Sequence, residues 1–126
     1  MTVEEKVFAL WGADATAIAL VPAARFKPGG IYQNLTIPYV LHWPIVNTRR
    51  RTLAEGAANS IEIGTRQFSI YAASMSSAED IRRKLIDVFD GNKGGFNFHF
   101  QSSRFVDEQP DIPVVLIAVD FLVTTA

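Results

Sequence analysis

The closing segment of the chain, Val114–Thr124, most constrains how this sequence can fold. It is rich in β-branched residues, which predicts a strand, and Asp120 is its only charged residue. Apolar side chains fill both alternating sets of positions: Val115, Ile117, Val119, Phe121 and Val123 on one face, and Val114, Leu116, Ala118 and Leu122 on the other. A strand that is apolar on both faces needs cover on both sides.

Two further strands are predicted upstream, at Ile37–Val46 and Ser60–Ala72. Pro44 cannot donate a backbone hydrogen bond, so the first strand either lies at a sheet edge or contains a bulge there. The apolar phase slips along the second strand, and we expect a bulge or twist at Gly64. Its first half, which includes Ile63, is then expected to face away from the core that its second half builds.

The N-terminal segment predicts an amphipathic helix followed by a short helical turn. Thr2 and Glu5 have the spacing of a capping box, and Gly12 ends the helix. Asp14 is placed to cap the turn Ala15–Leu20.

A second amphipathic helix is predicted between the second and third strands. Ser76 and Glu79 form a possible capping box, and Gly91 ends the helix. The alternation over Phe96–Phe100 then predicts a half-buried strand.

These elements predict one α+β domain spanning residues 1–126, with a mostly antiparallel sheet of about four strands and two helices packed on one face. Two helices cover one side of such a sheet, so apolar residues remain without cover inside one copy. Contiguous surface of this kind usually marks a partner interface, which favours a homo-oligomer. The candidate interface residues are Phe8, Ile61, Ile63, Ile86, Leu116 and Leu122.

Composition argues against several classes of protein. Lysine and arginine (12) nearly balance aspartate and glutamate (13), so the chain as a whole lacks the charge of a nucleic-acid binder. Cysteine is absent, which excludes disulfides and thiolate chemistry. The acidic start and the lack of a long apolar run predict folding in the cytoplasm without a membrane segment.

No catalytic or metal-binding pattern emerges. His42 and His99 lie on separate predicted strands, and neither has a second ligand at metal spacing or a defined triad partner. Gly91–Gly95 lacks the spacing of a phosphate loop and follows a helix. We therefore expect no enzymatic activity, metal or cofactor.

The run Arg49, Arg50 and Arg51 concentrates positive charge between two strands. Such a run can simply keep a hairpin soluble and discourage edge pairing. It can also bind an acidic neighbour or face phosphate groups, because planar guanidinium groups suit both. The sequence leaves both interpretations open.

The order of elements and several local patterns resemble the tail-completion, or tail-terminator, proteins of long-tailed bacteriophages and prophages. The likeness spans nearly the whole chain and lies in these segments: Leu10–Asp14, Leu35–Leu41, Asn47–Leu53 with Gly56, Phe68–Ala72 leading into Ser76–Glu79, and Val119–Phe121. The resemblance implies a structural protein at the neck of a virion tail. Members form rings, typically hexamers, that cap the tail tube protein and face the head connector protein.

On this resemblance, the loop that begins with the three arginines would contact a neighbouring subunit or the tube, and secondarily DNA passing through the lumen. Two alternatives stay open at this point. One is a head–tail connector or minor tail protein. The other is a small oligomeric ligand-binding or regulatory α+β domain, because such layouts host many functions.

Overall fold

The computed structural model describes residues 2–29, 36–50, 61–109 and 114–125. In this part of the chain the helices are α1 (Val3–Gly12), α2 (Ala15–Leu20) and α3 (Met75–Phe89), with a 3-10 turn at Ala23–Arg25. The strands are β1 (Phe26–Pro28), β2 (Tyr39–Arg50), β3 (Ile61–Ala72), β4 (Gly91–Asn92), β5 (Phe96–Gln109) and β6 (Val114–Thr125).

The class is α+β, but the sheet is larger than expected. The described residues form six strands in the order β1-β2-β3-β6-β5-β4, where about four were predicted. The sheet is also mixed, because β1 runs parallel to β2 while the other neighbouring pairs are antiparallel. The two additional strands, β1 and β4, are three and two residues long, and each adds to the outside of the four long strands.

The helix starts follow local capping chemistry, with one correction. Thr2 and Glu5 form the predicted capping box at α1, and the Asp14 carboxylate accepts hydrogen bonds from the first turn of α2. At α3 the cap is Ser74, whose hydroxyl accepts a hydrogen bond from the Ser77 N–H at 3.2 Å. The predicted cap at Ser76 is therefore wrong, because Ser76 already lies inside the helix.

The irregularity in the sheet lies in β2. The register between β2 and β3 shifts between Pro44 and Val46, which confirms a bulge at the proline. The predicted bulge at Gly64 is wrong, because β3 pairs with β6 without interruption through that residue. Ile63 and Phe68 differ in parity along this regular strand, so they lie on opposite faces of the sheet without any slip.

The core fills the space between one face of the sheet and the helices. Aromatic rings dominate its centre: Trp11 of α1 stacks on Phe26 of β1 with 4.6 Å between ring centroids, and its indole N–H donates to the Val21 carbonyl at 2.9 Å. Phe89 of α3 has ring contacts with five aromatic residues: Trp11, Phe26, Phe68, Phe98 and Phe121. All three helices thus contribute buried residues to a single core.

Candidate functional site

The sheet face opposite the core is a mixed apolar and polar surface. In its centre, Trp43 aligns with Gln67, which aligns with Asp120, and Asp120 aligns with Ser102. The next row towards the start of β2 places Leu41, Ser69, Ala118 and Arg104 side by side. Ser69 and Ala118 are buried by their neighbours in the sheet, whereas the residues around them are half-buried or exposed. We call this surface the far face. Its mixture of half-buried apolar and polar residues is more typical of a partner interface than of a fully solvated surface.

The predicted apolar interface residues differ in exposure. Phe8 on α1 is 51% exposed. Ile63, Leu116 and Leu122 are half-buried. Ile86 is half-buried and packs against the core, while the Ile61 side chain lies outside the described part of the structure. Their role in a contact stays a prediction.

Other large apolar side chains are also exposed, although the sequence pattern does not identify them as interface residues: Ile18 (38%), Ile45 (48%), Met75 (45%) and Phe105 (51%). Ile45 lies at the bulge in β2, and Phe105 directly precedes a second register shift in β5. A bulge changes which side of the strand a residue faces, so simple alternation could not identify these two.

The arginine run lies at one end of the sheet. Arg49 and Arg50 are the last residues of β2, and their backbone register partners in β3 are Glu62 and Ile61. Arg51 falls outside the described residues. The backbone therefore places two of the three arginines of the run at a strand end. Whether they maintain solubility or contact a partner stays open.

A buried polar cluster lies between β2, β3 and α1. The Arg66 guanidinium hydrogen-bonds Nδ1 of His42 at 2.8 Å and approaches a Glu4 carboxylate oxygen at 3.3 Å. Burial, and secondarily the Arg66 charge, lowers the pKa of His42 to about 3. The ring is therefore neutral near pH 7, and Nδ1 acts as a hydrogen-bond acceptor. Burial also lowers the pKa of Arg66, although Glu4 opposes that effect.

This cluster has the character of a structural group. Nε2 of His42 is buried without a hydrogen-bond partner among the described residues. Phe26 and Phe68 flank the ring, at 5.4 and 5.6 Å between centroids. A neutral histidine enclosed in this way has no access to a substrate. His99 is exposed and pairs in register with Leu122, on the other face of the sheet, so the two histidines are not brought together.

Asp120 is the charged residue within the apolar closing strand. One carboxylate oxygen accepts a hydrogen bond from Arg104 at 3.0 Å, and the other is buried without a partner among the described residues. The backbone register aligns Asp120 with Ser102, not with His99. This arrangement is an ion pair on the far face and lacks the geometry of a triad.

A shallow depression of about 510 Å³ lies between the α1–α2 corner and the end of α3. Its polar lining includes Asp14, Asp87 and Lys93. Asp14 is already engaged, because it caps α2 and pairs with Lys84 at 3.2 Å.

Among the described residues, no group of three potential metal ligands converges. In the described part of the chain, no helix is long and apolar enough to span a bilayer.

Comparisons with known proteins give a fold likeness. No family model matches the chain, and no curated protein matches it significantly. A chain in a solved structure described as "Virion of native gene transfer agent (GTA) particle" superposes with a TM-score of 0.78. The two sequences are 15% identical, and the match covers 98% of this chain and 93% of that chain. This protein therefore shares its complete fold with a component of that particle.

Proposed function

We propose that this protein is a structural component of a phage-like particle and that it acts as a tail terminator. Copies of the chain form a ring, which closes the tail tube at the neck and presents a surface to the head connector. The observation that carries the proposal is the fold likeness to a virion chain over nearly the full length of both proteins. The segments that resemble the tail-completion family support the narrower assignment.

The surface of the molecule agrees with a role in assembly. Phe8, Ile45 and Phe105 are each about half exposed, and the far face carries half-buried apolar residues of β2, β3 and β6. A monomer gains nothing from such surface, whereas a subunit buries it in contacts. The buried cluster of His42 and Arg66 and the ion pair of Arg104 with Asp120 contribute to the fold, and the role that we propose is non-enzymatic.

Deleting the coding sequence in the particle-producing host tests the proposal. A missing terminator should leave tail tubes of irregular length that are not joined to heads, as seen by negative-stain microscopy. Complementation with the wild-type chain should restore both uniform length and joining.

The same micrographs distinguish the other assignments. Tails of uniform length that fail to join heads would identify a connector and contradict the terminator role. Normal particles would contradict any essential structural role in the particle.

The arginine run provides a narrower test within this proposal. Replacing Arg49, Arg50 and Arg51 together with serine should impair ring assembly or tail joining if the run contacts a subunit or the tube. If assembly, joining and DNA delivery are all unchanged, the run only maintains solubility.

A further inference from the structure

Two clusters of opposite charge lie at opposite ends of the sheet. Arg49 and Arg50 end β2, whereas Asp107 and Glu108 lie near the end of β5. Because β2, β3, β6 and β5 alternate in direction, the ends of β2 and β5 point in opposite directions. We call these the basic end and the acidic end.

The strand register gives the separation of the two ends. Asp107 aligns with Leu116, and through Tyr71 this row reaches Tyr39, the first residue of β2. Arg49 follows Tyr39 by ten positions. At about 3.3 Å per residue, the two charge clusters are about 30 Å apart along the strands.

This distance prevents the two ends from neutralising each other within one copy. Screening at physiological salt limits interactions between solvated charges to about 8 Å. At the basic end, the backbone register aligns Arg49 with Glu62 and Arg50 with the apolar Ile61. At the acidic end, Asp107 and Glu108 align with Leu116 and Val115, both apolar.

Each charged end has exposed apolar surface nearby. Ile45, 48% exposed, precedes Arg49 in β2, and Phe105, 51% exposed, precedes Asp107 in β5. Met75, 45% exposed, begins α3 shortly after β3 ends at Ala72, which belongs to the same end of the sheet as Glu108. Interfaces combine apolar contact with charges that fix orientation, and both elements are present at each end.

We propose that two copies of this chain bind head to tail, with the Arg49–Arg50 end of one copy against the Asp107–Glu108 end of the next. The contact is heterologous, so repetition closes a ring if the rotation between copies allows it. It rests on the proposed function only in requiring that the protein associates with itself. Opposite charges select this orientation and disfavour contact between two like ends.

Charge reversal tests the contact on the purified full chain. The variant R49E/R50E has acidic residues at both ends, and the variant D107K/E108K has basic residues at both ends. Each variant alone should dissociate at least about tenfold more readily than the wild type, measured by sedimentation velocity in low salt. An equimolar mixture of the two should recover assembly, because acidic ends then meet basic ends. The quadruple variant should also recover it.

Matched controls come from the exposed surface of α3. Arg83→Glu and Asp80→Lys make the same kinds of charge change at exposed positions, and each should assemble like the wild type. Circular dichroism confirms that every variant is folded. Raising the salt from about 0.05 to about 0.5 M should weaken wild-type assembly, since the contact is electrostatic.

The outcomes separate this contact from the function proposed above. If the wild type assembles and both end variants assemble equally well, the head-to-tail contact is wrong while a ring remains possible through other surfaces. If the mixture of variants fails to recover assembly, the pairing of these two ends is wrong. If the wild type stays monomeric at the highest soluble concentration in low salt, the contact is overturned, and the deletion experiment still tests the role in the particle.

Discussion

The guanidinium group of Arg66 contacts one ring nitrogen of His42, Nδ1, through both Nη2 at 2.8 Å and Nε at 3.3 Å. Both side chains are buried, and the arginine also reaches Glu4 on α1. The cluster therefore joins β2, β3 and the N-terminal helix through one buried cation. It fixes His42 as a neutral acceptor, and this has a measurable consequence for stability.

Stability should fall as the pH is lowered from neutral. The unfolded chain protonates His42 near pH 6.5, whereas the folded chain does so only near pH 3, because burial lowers the pKa of the ring. Between these values the unfolded state binds more protons than the folded state. The free energy of unfolding therefore decreases by at most about 1.4 kcal/mol for each unit by which the pH is lowered. Urea unfolding of the wild type at several values between pH 7 and about pH 5 measures this slope.

The matched pair of histidines provides the control for that slope. His42→Gln should reduce the pH dependence, whereas His99→Gln at an exposed position should leave it unchanged. An equal slope in both variants would assign the effect to other groups.

Removing the buried cation should destabilise the protein. Arg66→Met keeps similar volume but leaves Nδ1 of His42 without its donor, and we expect a loss of about 1 to 3 kcal/mol in the free energy of unfolding. Glu4→Gln should cost less than about 1 kcal/mol, because the Glu4 side chain is 54% exposed. Urea unfolding at pH 7.5 measures both values. A methionine variant as stable as the wild type would show that the cation contributes only volume.

The start of α3 distinguishes two serines that are close in sequence. Ser74→Ala removes the hydroxyl that accepts from the Ser77 N–H, so it should cost about 1 kcal/mol. Ser76→Ala substitutes a better helix former inside the first turn and should change stability by less than about 0.5 kcal/mol. Thermal unfolding of the two variants in parallel checks this order, and the reverse order would contradict the cap seen here.

The aromatic core should be far more sensitive than the exposed aromatic surface. Phe89 is fully buried and contacts the rings of Trp11, Phe26 and Phe68, among others. Phe89→Ala should therefore cost about 3 to 5 kcal/mol. Phe105→Ala removes a half-exposed ring and should cost less than about 1 kcal/mol. Denaturation in high salt, where copies are expected to be separate, compares the two, and similar losses would contradict this account of the core.

Phe8 tests the apolar surface of α1. Phe8→Ser should leave the stability of the single copy nearly unchanged, since the side chain is 51% exposed. If this surface belongs to an assembly contact, the same change should weaken self-association, measured by sedimentation velocity. Thr16→Ala on α2, also at an exposed position, is the control. Unchanged association of the Phe8 variant would remove it from the interface candidates.

Elements with strong local signals could be predicted from the sequence. Thr2 with Glu5 fixed the start of α1, and Pro44 located the irregularity in β2, because a missing N–H restricts pairing wherever it occurs. The short strands β1 and β4 could not be predicted, because they lack strong local signals. Phe26–Pro28 has no alternation to detect, and its parallel pairing with Val40 depends on the assembled core.

The burial of Arg66 could not be predicted, because its sequence neighbours, Thr65 and Gln67, suggest a solvated strand. Its position depends on which face of β3 the helices cover. The strand β5 continues through Gln109, although the sequence from Ser102 onwards is more typical of a strand end or loop. The alternation is lost there because two register shifts interrupt it. Candidate contact residues such as Phe105 are hidden by the same irregularity.

The two tryptophans lie in different surroundings, and this makes the chain its own optical reporter. Trp11 is fully buried and its indole N–H is bonded to a carbonyl, so its fluorescence responds when the core opens. Trp43 is half-buried on the far face, so its emission responds to whatever covers that face. With Trp43→Phe as the reference, one emission spectrum can separate the melting of a subunit from its docking, without an attached dye.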